Sequence, residues 1–280
     1  MKTADNLAIS VSNVSKFYGD RCSYCVEDDA VLNRNMCPEC HTVFACDDVS
    51  FDLHNGEILG IVGESGSGKS TLMKMLYFDQ TPSEGEYRIS GFDGRQTDVF
   101  GLSSQAKRQI RNEILGMVYQ NPVYGLKMEF SSMSNIAEKL IASGSRHVGG
   151  MTEVGDHFLG KVNIPLSRKF DPPKNFSGGM QQRVQIAKAL SNYPPVLLLD
   201  EVTTGLDLSV QADVLELIKE IQRELGISMI VVSHDLAIIR MLCDRTMVML
   251  DGSVIETGIT DQILEDPQHA YTQQLVYSIL

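Results

Sequence analysis

Charge-free runs and amphipathic stretches alternate along the chain, and the two textures predict different elements. Ile58 to Val62 and Val196 to Leu199 are apolar throughout, and Ile227 to Val232 carries no charge. Runs of this kind predict central parallel strands, which are covered on both faces. Leu7 to Val14 alternates instead, with Leu7, Ile9 and Val11 set against Ala8, Ser10 and Ser12, and Val49 to Leu53 does the same; alternation predicts half-buried strands. Glu86 to Ser90 and Gly116 to Gln120 read as shorter strands. Val210, Val214, Leu217, Ile218, Ile221 and Leu225 recur at helical spacing, and Gly226 stops that helix just past its C-cap. Further helices are predicted at Ser134–Ala142, Val154–Val162, from Ser177 to Leu190, at Leu236–Leu242, and in the tail on either side of a break at Asp266-Pro267. Thr246–Leu250 and Ser253–Glu256 flank Asp251-Gly252, the signature of a tight hairpin. Ser103 to Asn112 is polar and basic. The stretch from about Val123 to Asn175, broken by Gly-Ser, Gly-Gly and Pro-Pro, reads as a separate helical lobe. There is no internal repeat and no low-complexity segment.

Composition narrows the class. With 43% hydrophobic residues among 280, the chain can build a sizeable core, and α/β domains often run this long as one unit. A net charge of −12 argues against sequence-independent nucleic-acid binding, which needs a basic footing. No run approaches the roughly 20 apolar residues that cross a bilayer. Met1 to Asn13 lacks the apolar centre of a secretory signal. A cytoplasmic location is therefore expected. There, six cysteines are not expected to form structural disulfides, which brings metal and redox roles forward.

The most specific chemistry follows the first charge-free strand. Gly63-Glu64-Ser65-Gly66-Ser67-Gly68-Lys69-Ser70-Thr71 joins that strand to a helix, the pattern and context of a phosphate-binding loop. Glycines let the backbone curl so that several N–H groups converge on one anion, and the helix start adds its own. Lys69 reaches the β- and γ-phosphates in such a loop, and Ser70 offers a hydroxyl to Mg²⁺. Later, the strand Val196–Leu199 delivers Asp200 and Glu201 at its C-terminal end, where ligands sit in parallel sheets. Asp200 suits Mg²⁺, and Glu201 suits a base for the water that attacks the γ-phosphate. Ser177 reads as an N-cap, and Gly178 and Gly179 open that helix tip to close approach by an anion. His234 leaves a buried strand in Ser233-His234-Asp235, beside the expected phosphate site. Tyr18 follows Phe17 and precedes Gly19; its ring reads either as a stacking platform for a purine or as a strand-end core aromatic.

Residues 20–46 have a different texture. Cys22-Ser23-Tyr24-Cys25 and Cys37-Pro38-Glu39-Cys40 stand eleven residues apart, the knuckle spacing of a tetrahedral four-cysteine zinc site. Val26–Met36 is acidic with little core of its own, so a metal would supply much of its folding energy. An iron–sulfur cluster and a redox dithiol are the alternatives. Cys46 and Cys243 read as buried core thiols, and His41 is not needed as a ligand.

In order, these motifs resemble those of the ATP-binding-cassette ATPases over nearly the whole chain. Gly63–Thr71 is similar to the Walker A loop, Gln120 to the Q-loop glutamine, Phe176–Gln181 to the signature, and Leu197–Glu201 to Walker B. Thr204–Asp207 is similar to the D-loop, His234 to the switch histidine, and Tyr18 to the adenine-stacking aromatic. The chain departs from the pattern at Phe176, Met180 and Val202, none of which is a phosphate ligand. The resemblance implies an α/β P-loop NTPase fold with a RecA-like core, an antiparallel β subdomain and a helical subdomain at about 100–175. One cassette domain would then span 1–280, with a zinc-ribbon-like insert at 20–46. It implies Mg-dependent ATP hydrolysis, with Lys69, Gln120, Glu201 and His234 catalytic. Tyr18, Gly63, Ser65, Gly66, Gly68, Lys69, Ser70, Thr71, Gln120, Asp200, Ser177, Gly178, Gly179 and Asp207 would bind nucleotide, and Ser70, Gln120 and Asp200 would hold Mg²⁺. Two cassettes of this family pair head to tail, so a homodimer tightened by ATP is expected. Within the family, Ser134–Leu140 and Gly144–Gly149 resemble the ATP-binding subunits of the phosphonate carbon–phosphorus lyase system, which dock on a soluble lyase core. Gln268–Leu275 resembles dipeptide and nickel importer ATPases, and only that second reading implies a membrane partner.

Overall fold

The computed structural model describes residues 6–27 and 31–277. Its strands among these residues are β1 (Leu7–Tyr18), β2 (Val43–His54), β3 (Ile58–Val62), β4 (Glu84–Ile89), β5 (Leu115–Val118), β6 (Val196–Asp200), β7 (Ser228–Val232), β8 (Arg245–Leu250) and β9 (Ser253–Ile259). The chain divides into two compact units. One comprises the described parts of Met1–His54 and Val232–Leu280 together with Ile58–Leu102; the other comprises Asn55–Glu57 and Ser103–Val231.

In the first unit an antiparallel sheet has the order β2-β1-β4, and three further strands have the order β3-β8-β9. β3 is buried at every position and runs parallel to β8, as a charge-free strand covered on both faces should. β8 and β9 form the predicted hairpin: Leu250 faces Ser253, and Asp251 (φ 48°) and Gly252 (φ 90°) take the left-handed conformation of a two-residue turn. β1 and β2 run well past the predicted Leu7–Val14 and Val49–Leu53. Register shifts interrupt their alternation: Asn13 and Asp48 both have positive φ, and Asn13 Nδ2 donates to Asp48 Oδ1 at 2.6 Å across the irregularity. A bulge moves later side chains to the other face and hides the strand from period-two reading. Tyr87, Phe78 and Phe100 pack as an aromatic group with centroids 5.2–6.3 Å apart.

In the second unit the strand order is β5-β6-β7, with β5 and β6 parallel. β6 and β7 are buried at every position, like β3. The polar stretch after residue 103 is a helix, Ser104–Glu113, capped by Ser103 and burying only Ile110. The helix predicted at Val154–Val162 starts earlier, as Val148–Lys161. Gly149-Gly150 does not break it, because His147 Nδ1 accepts from Gly150 N at 2.9 Å and caps the first turn. Ser132–Ala142 and Gly178–Leu190 complete the helical packing around β5, each started by a serine cap.

Candidate nucleotide site and cysteine cluster

The turn after β3 is shaped by what lies behind it. Gly63 has φ 149°, and a Cβ there would stand 2.1 Å from Met249 O; Gly68 has φ 103°, with Ala45 O at the same distance. Side chains are excluded at both, and the loop closes around Lys69. Its buried Nζ donates to Gly63 O at 2.8 Å, Glu64 O at 2.7 Å and Ser67 Oγ at 3.2 Å. Lys69 is the first residue of the helix Lys69–Leu76, the end at which a helix carries its orphan N–H groups. Ser65 and Gly66 are exposed, and Ser70 and Thr71 are half-buried on the opening turn. Glu64 N donates to Tyr271 Oη at 2.9 Å, a brace from the helix Ala270–Tyr277 that sequence reasoning missed. His234 is exposed just after β7, and the neighbouring Ser233 N donates to Ile61 O of β3 at 3.2 Å. Tyr18 is 44% exposed, which removes the core-aromatic reading. Its hydroxyl donates to Gln80 Oε1 at 2.8 Å, and Lys16 Nζ lies 5.3 Å from the ring centroid.

The second unit gathers the carboxylates and the glutamine. Asp200 ends β6 and is buried; Glu201 follows at φ 47°, a left-handed conformation rare for a side-chain-bearing residue. Gln120 Nε2 donates to Glu201 Oε2 at 2.9 Å, and Thr204 Oγ1 lies 3.2 Å from the same oxygen. The Tyr119 peptide just before Gln120 is held from both ends: Gln185 Oε1 accepts from Tyr119 N at 2.7 Å, and Gln185 and Gln182 donate to Tyr119 O at 3.1 and 3.3 Å. These two glutamines are buried on the helix Gly178–Leu190. Their signal in sequence is a pair of amides on the core face of a helix, where an apolar residue is the rule. Ser177 Oγ accepts from Met180 N at 3.4 Å and caps that same helix. Ser177 and Gly178 are exposed; a Cβ on Gly179 would meet Val210 Cγ1 at 2.4 Å, so the tip packs against the helix Leu208–Leu225. Asp207 holds the N-cap position of that helix, exposed and with no side-chain cap hydrogen bond. Phe176 is buried, with the Arg168 guanidinium 4.4 Å from its ring centroid.

The knuckle cysteines converge. The sulfurs of Cys22, Cys25, Cys37 and Cys40 all lie within 4.8 Å of one another. Cys22–Cys25 and Cys22–Cys37 are 3.8 Å apart, and Cys25–Cys40 are 3.7 Å apart. A disulfide needs about 2.0 Å. Four sulfurs each about 2.3 Å from one zinc ion stand about 3.8 Å apart along the edges of the tetrahedron. The donor set thus fits one four-coordinate thiophilic ion. Burial pushes the Cys25 thiol up to about 12, while the Thr42 hydroxyl beside Cys40 holds that thiol down to about 5. Cys46 and Cys243 lie outside the cluster as buried thiols, and burial raises both.

The sequence profile of the family described as ABC transporter matches residues 46–204, more than half of the chain. The chain belongs to this family of ATP-binding cassettes. As an ABC ATPase it is 46% identical over 233 residues to the putative phosphonates utilization ATP-binding protein PhnK of Escherichia coli K12, covering 83% of this chain and 90% of PhnK. It is 38% identical over 232 residues to the methionine import ATP-binding protein MetN 2 of Salmonella typhimurium, covering 83% of this chain and 66% of that one. Among solved structures, the cassette resembles MJ0796 in a dimeric post-hydrolysis state bound to ADP and Pi. That match has a TM-score of 0.75 and 26% identity over 90% of this chain and 98% of the other. CbiO1 of Clostridium perfringens, part of the transporter complex cbiONQ, matches with a TM-score of 0.73 at 26% identity, over 93% and 92% of the two chains. The cassette carries ATP hydrolysis as its activity, and the cysteine cluster is an addition to it in the form of a ribbon-like insert.

Proposed function

We propose that this chain is the ATPase subunit of a cytoplasmic phosphonate-utilisation system, working as an ATP-assembled pair on a soluble carbon–phosphorus lyase core. The carrying observation is the 46% identity that extends over 90% of PhnK. In this reading a single cassette domain spans 1–280, with its insert at 20–46 and its helical subdomain at about 100–175. Tyr18 stacks the adenine, while Gly63, Ser65, Gly66, Gly68, Lys69, Ser70 and Thr71 wrap the phosphates. Ser70, Gln120 and Asp200 hold Mg²⁺, which offsets charge on the phosphate oxygens when bound. Glu201 takes the proton of the attacking water, oriented by the amide of Gln120, and His234 contacts the γ-phosphate. Ser177, Gly178 and Gly179 supply a helix tip with N–H groups and no phosphate of their own. The partner copy brings that tip, with Asp207 beside it, to complete the site; a solved dimeric cassette of this family supports such pairing. Cys22, Cys25, Cys37 and Cys40 hold one zinc ion, a choice supported by the sulfur spacing.

A second reading, the ATPase of an importer, is favoured by the 38% identity to MetN 2 and by the same identity to the glutathione import protein GsiA of Escherichia coli O1:K1 / APEC. Among the described residues no helix is long and apolar enough to cross a membrane. Tagged protein recovered from cells grown on a phosphonate as sole phosphorus source separates the two. Co-purification with soluble lyase subunits is expected; recovery in the membrane fraction with a permease would overturn the lyase assignment.

A further inference from the structure

The cysteine insert interrupts the chain between β1 and β2, and both of its flanks lead directly to nucleotide-binding residues. Cys25, Cys37 and Phe44 form one buried cluster, with Phe17, Leu32 and Cys40 packed against it. Phe44 N donates to Asn35 O at 2.7 Å and Cys37 N to Thr42 O at 2.9 Å, so the insert hands over to β2 at Phe44. The Phe44 ring meets Phe17 edge-on, with centroids 5.1 Å apart, and Phe17 directly precedes Tyr18. On the other side Phe44 leads into Ala45 and Cys46, which back the phosphate loop. Ala45 O is the atom that excludes a side chain from Gly68, and Cys46 Sγ lies 3.6 Å from Gly68 O. Asp47 N donates to Gly252 O at 2.9 Å, and Gly252 N donates to Ser67 O at 3.2 Å. One ring, Phe44, therefore joins the floor of the cysteine cluster to both the adenine platform and the wall of the loop.

We infer that metal occupancy of the four cysteines sets the nucleotide affinity of this cassette, with Phe44 as the positioning residue. The inference rests on the metal reading of the cluster. The two states it needs are physical: the described part of the insert has little apolar core besides this cluster, so it is ordered when the sulfurs are bridged and loses its anchor when they are not. With the ion in place, Phe44 is clamped, and Tyr18 and the Ala45–Cys46 wall are held in the arrangement that receives a nucleotide. Without it, a nucleotide must order that wall at its own expense. Coupling of this kind is reciprocal, so the nucleotide must tighten the metal by the factor by which the metal tightens the nucleotide.

The test uses the full chain purified with zinc, ADP as the nucleotide and a colorimetric zinc chelator. ADP affinity is measured on the loaded protein, after stripping, and after zinc is restored; zinc release is timed with and without saturating ADP. Stripping is expected to weaken ADP binding by about fivefold or more, reversibly, and ADP is expected to slow zinc release. The loaded Phe44→Leu variant separates coupling from wholesale unfolding: it should keep its zinc and a single cooperative unfolding transition, at a lowered melting temperature, yet bind ADP more weakly. Stoichiometric zinc with unchanged ADP affinity in both the stripped protein and the variant would sink the coupling while leaving the metal site standing. Absence of zinc, with all four thiols freely alkylated, would overturn the metal reading and the coupling with it.

Discussion

Glu201 sits in a backbone conformation that costs about 1–3 kcal/mol for a residue with a side chain, and that cost is met where its carboxylate is gripped by Gln120 and Thr204. Other described residues, among them Asp48 and Asp251, share a positive φ, so what distinguishes Glu201 is the pair of side chains that hold its carboxylate just after a buried strand. Glu201→Gln keeps the shape and removes the carboxylate proposed as the base. The expected result is a kcat lower by about 10²–10⁴ with ATP binding retained, read by phosphate release and nucleotide titration. Tyr271 offers a second handle. Its hydroxyl is the acceptor for Glu64 N at the mouth of the phosphate loop. Tyr271→Phe should raise the KM for ATP severalfold with kcat and melting temperature nearly kept; an unchanged KM would show that the loop does not need this brace. Neither residue's geometry is legible in the sequence. Tyr271 lies 207 positions from its partner, and the φ of Glu201 follows from the turn that Thr204 and Gln120 close around it.

Elements divide into those whose period carries their identity and those that lean on a contact. β3, β6 and β7 are readable because full burial on both faces demands runs that are nearly free of charge, broken in β6 only by the terminal Asp200. The Asp251-Gly252 turn was readable because few residue pairs tolerate its conformation. The length of β1 and β2 was not, since bulges at Asn13 and Asp48 reverse the alternation, and the start of Val148–Lys161 depends on an imidazole cap that no periodicity encodes. The helix Ser132–Ala142 yields a prediction of its own. Lys139 is buried there, its Nζ donating to Arg111 O at 2.6 Å and Leu115 O at 3.1 Å. Burial, helped by the nearby Lys188 and Arg111 charges, pulls its pKa from 10.5 down to about 8. Between those values the unfolded chain holds a proton that the folded chain has released, so stability contributed at this site rises with pH across that window. Denaturation midpoints of wild type and Lys139→Met, compared from pH 7 to pH 10.5, should move in favour of wild type as pH rises. A constant gap would count against a depressed Lys139.

At the scale of the whole molecule, each chain carries one phosphate loop and one Ser177–Gly179 tip, and the family's solved cassettes include dimers. With Glu201→Gln and saturating ATP·Mg²⁺, light scattering should give twice the monomer mass; a persistent monomer would leave the helix tip without its role. The motif order was enough to assign the family, because phosphate chemistry fixes residue type and spacing together. The partner was not, because docking is written in surface shape. One connection carries a mechanical consequence. Gln182 and Gln185 grip the Tyr119 peptide, and three residues further along the same helix Lys188 Nζ reaches Gly125 O and Glu138 of Ser132–Ala142. A shift of Ser132–Ala142 that moved Glu138 would therefore pull on Lys188 and, one helical turn back, on the two amides that hold the peptide just before Gln120.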